Sequence, residues 1–232
     1  MVTKPEAGEI LRQSVVTGFA HPARNVALLG IEPGMKVADF GAGSGAYVLA
    51  IAGFLSGSGH IYAIDVQRDL LRRLKNESER RGYKNVEVLW SDLESGGGSK
   101  LADQSNDLVL ISNLLFQINE KKIVIAEAWR VLREGGRLVI IDWSESFSRS
   151  EAAREGVGER EFPVKEGSGP PAGGTRWKTV GFQGGWGPPE TDVVKKDKAI
   201  SLATSAGFEL FKEFPAGAHH YGLIFRKIRN EV

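Results

Sequence analysis

The stretch Val37-Ala38-Asp39-Phe40-Gly41-Ala42-Gly43-Ser44-Gly45 decides how this chain is read. Its first four residues read as a strand, three glycines follow at alternate positions, and an apolar helical run occupies 46–55. A strand that turns through glycines into a helix opens a βαβ unit. Such glycines let backbone approach a ligand with no Cβ in the way.

Working outward, strands are expected at 60–64, 86–89, 107–111 and 137–141. Helices are expected at 68–81 and 121–132, the second stopping at Gly135-Gly136. The run at 107–111 is apolar throughout, as in a strand buried on both faces. Strands alternating with helices imply a parallel, doubly wound α/β sheet. The end differs: a helix at 195–206 closes at Gly207, and strands at 208–214 and 220–227 are joined by a turn at Pro215-Ala216-Gly217. A short turn permits only antiparallel pairing. The expectation is one domain over 1–232, with a mostly parallel seven-stranded sheet ending in an antiparallel hairpin. Residues 1–30 read as capping helices, at 10–19 and 22–29. Residues 144–190 read as an inserted Gly/Pro-rich lid or loop, with Trp177, Phe182 and Trp186 as the small core of a lid.

Bulk properties narrow the function classes. A formal net charge of +1 on 232 residues gives no global field to attract nucleic acid. The chain contains no cysteine, which excludes disulfides, thiolate metal sites and a cysteine nucleophile. No apolar run approaches the roughly 20 residues a spanning helix needs, and residues 1–8 carry no apolar signal core. A cytoplasmic protein with no membrane insertion is therefore expected.

Read loosely, Gly41 to Ala46 fits the dinucleotide pattern G-x-G-x-x-A. Asp39 argues otherwise, because a carboxylate beside the turn is a poor neighbour for pyrophosphate. S-adenosylmethionine has no phosphate and carries an α-ammonium and a sulfonium, both suited to a nearby carboxylate. Asp65, at the end of the second strand, can accept from both ribose hydroxyls. Asp92, after the third strand, can accept from an adenine amino group. Each acid alone could be a turn or helix cap; three at successive strand ends around one glycine loop point to a nucleoside. The expected cofactor-binding set is Asp39, Gly41, Ala42, Gly43, Gly45, Asp65, Val66, Ser91, Asp92, Leu93 and Asn113, with Trp90 or Leu93 near the adenine ring.

The chain resembles the class I S-adenosylmethionine-dependent methyltransferases, especially the small-molecule type related to quinone-biosynthesis enzymes. The resemblance covers 32–143 and the terminal hairpin. It rests on Val37-x-Asp39-x-Gly41-x-Gly43-x-Gly45, on Asp65 and Asp92, on the strand-four segment 107–113, and on 129–138 leading into strand five. It implies a Rossmann-like methyltransferase fold and S-adenosylmethionine as cofactor. Ser112-Asn113-Leu114-Leu115-Phe116 is not Asn-Pro-Pro-Tyr or Asp-Pro-Pro-Tyr, so methylation of adenine N6 or a glutamine amide is disfavoured.

Methyl transfer is an in-line displacement whose rate comes largely from alignment in a dry site, with an optional general base. The catalytic candidates are Asn113 and Asp142 at strand ends and His21 between the capping helices. Phe116 and Trp143 lie at the same strand ends. His60, His219 and His220 read as structural, and no metal-ligand spacing is present. A small-molecule acceptor is favoured, with RNA or protein as alternatives. Arg72, Arg73, Lys75, Arg80 and Arg81 share one helix, but interleaved acids make a solvated face. Two other classes are an NAD-dependent oxidoreductase and a non-catalytic nucleoside-binding module.

Overall fold

A computed structural model describes residues 20–144, 147–148, 185–186 and 188–228. The expected helix at 10–19 and nearly all of the expected lid, including Trp177 and Phe182, lie outside the described residues. So does the Trp186 side chain.

The elements run α1 (Pro22–Val26), β1 (Lys36–Phe40), α2 (Ala46–Leu55), β2 (His60–Asp65), α3 (Arg68–Arg80), β3 (Val86–Trp90), β4 (Asn106–Ser112), α4 (Lys121–Val131) and β5 (Leu132–Trp143). Two short strands, β6 (Phe147–Ser148) and β7 (Gly185–Trp186), pair with each other. Then come α5 (Lys196–Ser205), β8 (Phe208–Gly217) and β9 (His220–Lys227). The main sheet has seven strands in the order β3-β2-β1-β4-β5-β9-β8. β9 is antiparallel to both of its neighbours, and the other pairings are parallel.

Strand alternation sorts the core into two layers. Val109 and Ile111 of β4 join Phe40, Ile140 and Phe225 under α4 and α5. Leu108 and Leu110 point the other way, joining Val37, Val139 and Ile224 under α2 and Leu74 of α3. Because the central strands are covered on both faces, their sequence reads as unbroken apolar runs. All their carboxyl ends except that of β9 open on one edge of the sheet, where doubly wound folds place ligands.

The capping helix expected at 22–29 ends at Val26, and two further boundaries differ from the sequence reading. Gly135-Gly136 does not end α4. The helix stops at Val131, and β5 starts at once, with Leu132 opposite Asn106. Arg137 is the next residue in register, opposite Leu108, so 133–136 bulge out and Gly135 takes a φ of 70°. What ends the helix is hydrogen bonding from other elements. Lys227 Nζ donates to the Trp129 and Leu132 carbonyls, each at 2.7 Å. The Gln104 and Ser105 amides donate to the Arg130 and Val131 carbonyls. These are the carbonyls a helix leaves unsatisfied at its end. The second difference is the hairpin turn, which lies at Ala218-His219. Pro215 instead belongs to β8 and pairs with Tyr221, an arrangement open to proline because β8 is an edge strand.

Replacing Lys227 with Met keeps the apolar stem but removes the ammonium from two carbonyls. Lost charge-assisted hydrogen bonds of this kind cost about 2 kcal/mol. Urea denaturation of K227M should show a loss of that order with an unchanged m-value.

Candidate functional site

The glycine loop is built by β1 and β2 together. The Gly41 and Ala42 amides both donate to the Ile64 carbonyl, at 2.9 and 3.0 Å, which turns the chain off the sheet. Gly45 begins α2 in the left-handed region, φ 83°, and a Cβ there would stand 2.2 Å from Leu74 Cδ1. It is glycine for packing reasons. Gly43, φ 53°, differs: its imagined Cβ meets nothing closer than 4.0 Å and points into open space. That is where a ligand would lie against bare backbone.

Asp65, nearly buried, ties this loop to the end of β2. One carboxylate oxygen accepts from the Gly43 amide and the other from the Gln67 amide, both at 2.8 Å. Each oxygen keeps a second lone pair for a further donor. The Asp65 carbonyl accepts from the Ser91 amide, which aligns the end of β3. Asp92 Oδ1 accepts from the Glu94 amide at 2.9 Å. Ser91 is buried, and its hydroxyl donates to the Gly98 carbonyl. Leu93 is buried in the α4-side core. Trp90 lies mostly on the surface, its indole N–H donating to the Val66 carbonyl and its ring beneath the Arg68 guanidinium at 3.5 Å.

Asp39 is buried, and its Oδ1 has no hydrogen-bond partner among the described residues. Burial, with a smaller push from the Asp65 charge, raises its pKa to about 7. A buried acceptor with no partner is costly. A cation seated beside it would relieve that cost. Asn113 lies across the loop, in the left-handed region at φ 51°. Its amide donates to the Ile141 carbonyl, and its carbonyl accepts from Gln117 Nε2 at 2.7 Å. Its side-chain Oδ1 is likewise buried with no partner among the described residues. The two loops touch, since a Cβ on Gly41 would fall 2.8 Å from Leu114 Cδ1. The strand ends thus carry Asp39, Asp65, Asp92 and Asn113 around one glycine turn.

Among the described residues, Asp142 and His21 make no hydrogen bond to these four side chains. Asp142 is fully buried at the end of β5, accepting from the Trp143 amide at 2.8 Å and the Leu115 amide at 3.0 Å. Burial raises its pKa to about 7 against the pull of these amides. It anchors the loop after β4 from behind and presents no surface to an acceptor. His21 is exposed at the start of α1, where Nδ1 accepts from the Arg24 amide at 3.4 Å. His60 bonds Glu87 across β2 and β3, and His220 stacks on Trp143.

Several contributors escaped the sequence reading. Asn25 Nδ2 donates to the Tyr47 hydroxyl and to the Ala216 carbonyl, locking α1 over α2 and the hairpin. Glu94 Oε1 accepts from the Asn119 and Glu120 amides, so the Asp92 loop caps the start of α4. Glu127, nearly buried in α4, holds the far end of that loop through the Ser99 amide and hydroxyl and is itself paired with Arg130. Pairing of this kind leaves no local sequence signal, since every partner except Arg130 lies 22 or more positions away.

Residues 31–168 match the family model described as a methyltransferase domain, and the chain belongs to that family. The arsenite methyltransferase of Aquipseudomonas alcaligenes is 32% identical over 114 residues, covering 47% of this chain and 33% of that protein. The demethylmenaquinone methyltransferase of Anoxybacillus flavithermus is 25% identical over 117 residues, covering 50% of this chain and 48% of that protein. The matches thus span a third to a half of these relatives' length. Among solved structures, a SAM-dependent methyltransferase from Aquifex aeolicus superposes with a TM-score of 0.66 at 21% identity, covering 97% of this chain and all of that one. That likeness concerns the fold: a mostly parallel seven-stranded sheet closed by an antiparallel strand.

Asp39 makes stability depend on pH with a defined sign. Its folded pKa, about 7, lies above the ordinary aspartate value of 3.8. Folding therefore takes up a proton between these values, and the contribution is full below about 4 and lost as pH rises through 7. Relative to Asp39→Asn, the wild type should lose on the order of 2 kcal/mol between pH 5 and 7.5. Paired urea titrations at the two pH values would measure it; parallel curves for the two proteins would contradict it.

Proposed function

We propose that this protein binds S-adenosylmethionine in the glycine-loop site and transfers its methyl group to a small molecule. The observation that carries the reading is the buried Asp39 carboxyl, with an oxygen that has no partner among the described residues, beside a glycine open to a ligand. An anionic pyrophosphate there would face Asp39 and Asp65, whereas a cationic amino acid with a nucleoside finds acceptors at every strand end. The residues that would hold it are Asp39 and Gly43 for the methionine part, Asp65 for the ribose hydroxyls and Asp92 for the adenine amino group. Gly41, Ala42, Gly45, Val66, Ser91 and Leu93 shape their backbone frame, and Asn113 faces the methyl side.

S-adenosylmethionine supplies an electrophilic methyl: the acceptor's lone pair forms the new bond as the C–S bond breaks, and sulfur keeps that electron pair. The chain's own contribution is alignment and exclusion of water. Asn113 Oδ1 would accept a hydrogen bond from the acceptor; its support is that it has no partner among the described residues. Asp142 fixes the loop that carries Asn113 and Phe116. His21, at the edge of α1, is the side chain we propose for receiving a proton from acceptors that carry one. The small-molecule acceptor accords with relatives named for arsenite and demethylmenaquinone methylation. A cytoplasmic setting completes the reading; no helix among the described residues is long and apolar enough to cross a membrane.

Calorimetric titration with S-adenosylhomocysteine tests the site directly. Binding should strengthen as pH rises through 7, where Asp39 becomes charged. Gly43→Ala should fold at a cost of about 1 kcal/mol from its left-handed φ, since its Cβ meets nothing closer than 4.0 Å, yet bind at least tenfold more weakly. Tight NADH binding with no response to S-adenosylhomocysteine would defeat the proposal.

A further inference from the structure

Beside the candidate methyl site lies a half-open cavity of about 420 Å³ that the cofactor reading does not use. Its size suits a small organic ligand. One wall is the loop after β4 and the start of α4; the other is 191–195 and the first turn of α5. Apolar surface comes from Phe116, Ile118, Val193 and Val194, and positive charge from Lys121, Lys195 and Lys198. Asp192 is the acidic side chain in the lining.

Three observations bear on what would enter. First, the lining is two-sided in character, apolar in its body and cationic at its rim, with three lysines against one aspartate. Second, Lys121 Nζ donates to the Ile118 carbonyl, but the other two charges are not placed for the fold. Lys195 and Lys198 occupy the N-terminal turn of α5, the end where a basic side chain opposes the helix dipole. Their neighbour Lys196 is paired with Glu213 at 2.7 Å, while Lys195 and Lys198 are exposed to the cavity. Third, both walls are anchored to adjacent strands at residues that face each other in register, Asp142 and Tyr221. Asp142 holds the Leu115 amide of one wall, and the Tyr221 hydroxyl donates to the Val194 carbonyl of the other at 2.8 Å. Gln117 lines the cavity and also holds the Asn113 carbonyl, so the cavity adjoins the candidate methyl site through one side chain.

We propose that this cavity receives an amphiphilic organic acid, its apolar body against Phe116 and Val194 and its anionic group at Lys195 and Lys198. Resting on the methyltransferase reading, this acid is the methyl acceptor. The positive rim selects for the anion and orients it, leaving the opposite end of the molecule toward Asn113.

The test uses the full chain and two fluorescent probes of similar shape, anilinonaphthalene sulfonate and uncharged N-phenylnaphthylamine. The wild type should bind the sulfonate at one saturable site that weakens with salt. The double variant K195Q/K198Q should bind it at least tenfold more weakly, with the uncharged probe unaffected. The variant should melt no lower than the wild type, because both substitutions remove charge from the unfavourable helix end. Its affinity for S-adenosylhomocysteine should be unchanged. Equal sulfonate affinity in both proteins would overturn the proposal, as would an uncharged probe that binds as tightly as the sulfonate. Lysine-dependent sulfonate binding in a protein that ignores S-adenosylhomocysteine would keep the anion site and overturn its role as acceptor site.

Discussion

Two backbone amides, those of Gly43 and Gln67, converge on the Asp65 carboxylate, and the glycine-loop edge of the sheet is arranged around that meeting. The glycine loop has only the small side chains of Ala42 and Ser44 with which to hold its own shape. Its conformation is imposed from β2, through the Ile64 carbonyl and then the Asp65 side chain. The Asp65 carbonyl extends the same control to β3 by accepting from Ser91. One strand end thereby sets the relative positions of the loops after β1, β2 and β3. A single acid can hold two loops and still accept from a ligand, as proposed above, because each of its oxygens has two lone pairs.

The loop after β4 follows a separate logic. Its anchor is Asp142, which lies behind it and touches nothing outside the fold. A carboxyl in that position is costly to bury, and amide hydrogen bonds offset the cost. Asp39 has no such compensation at Oδ1 among the described residues. The two buried acids on one sheet thus differ: among the described residues, the first is satisfied by amides and one oxygen of the second is not.

Much of this was legible in the sequence where the signal is local. Strand alternation, the glycine turn and the position of Asp65 follow from spacing over a few residues, and α2 and β9 match their expected bounds. The misreadings share a cause. Gly135-Gly136 looked like a helix stop, but α4 ends because Lys227, almost a hundred positions away, takes its carbonyls. Pro215 looked like a turn residue, but it is tolerated within β8 because no strand lies beyond it. Asp142 looked like a strand-end catalyst, and only the three-dimensional arrangement puts it behind the Leu115 amide. The lysine-lined cavity was invisible for the same reason, since its walls are some 70 residues apart in the chain.

The order of strands carries a consequence for how the molecule is made. β9 is synthesised after β8, yet it takes an interior place between β5 and β8. Until it emerges, β5 is a bare edge and β8 has no sheet to join. An emerging chain therefore exposes the hydrogen-bonding rim of β5, with Leu138 and Ile140 beside it, throughout translation of some eighty further residues. The segment between β5 and β8, whatever its part in the finished protein, also sets how long that rim stays open. Ribosome pausing or insertions there would lengthen the interval in which unfinished chains can pair with one another.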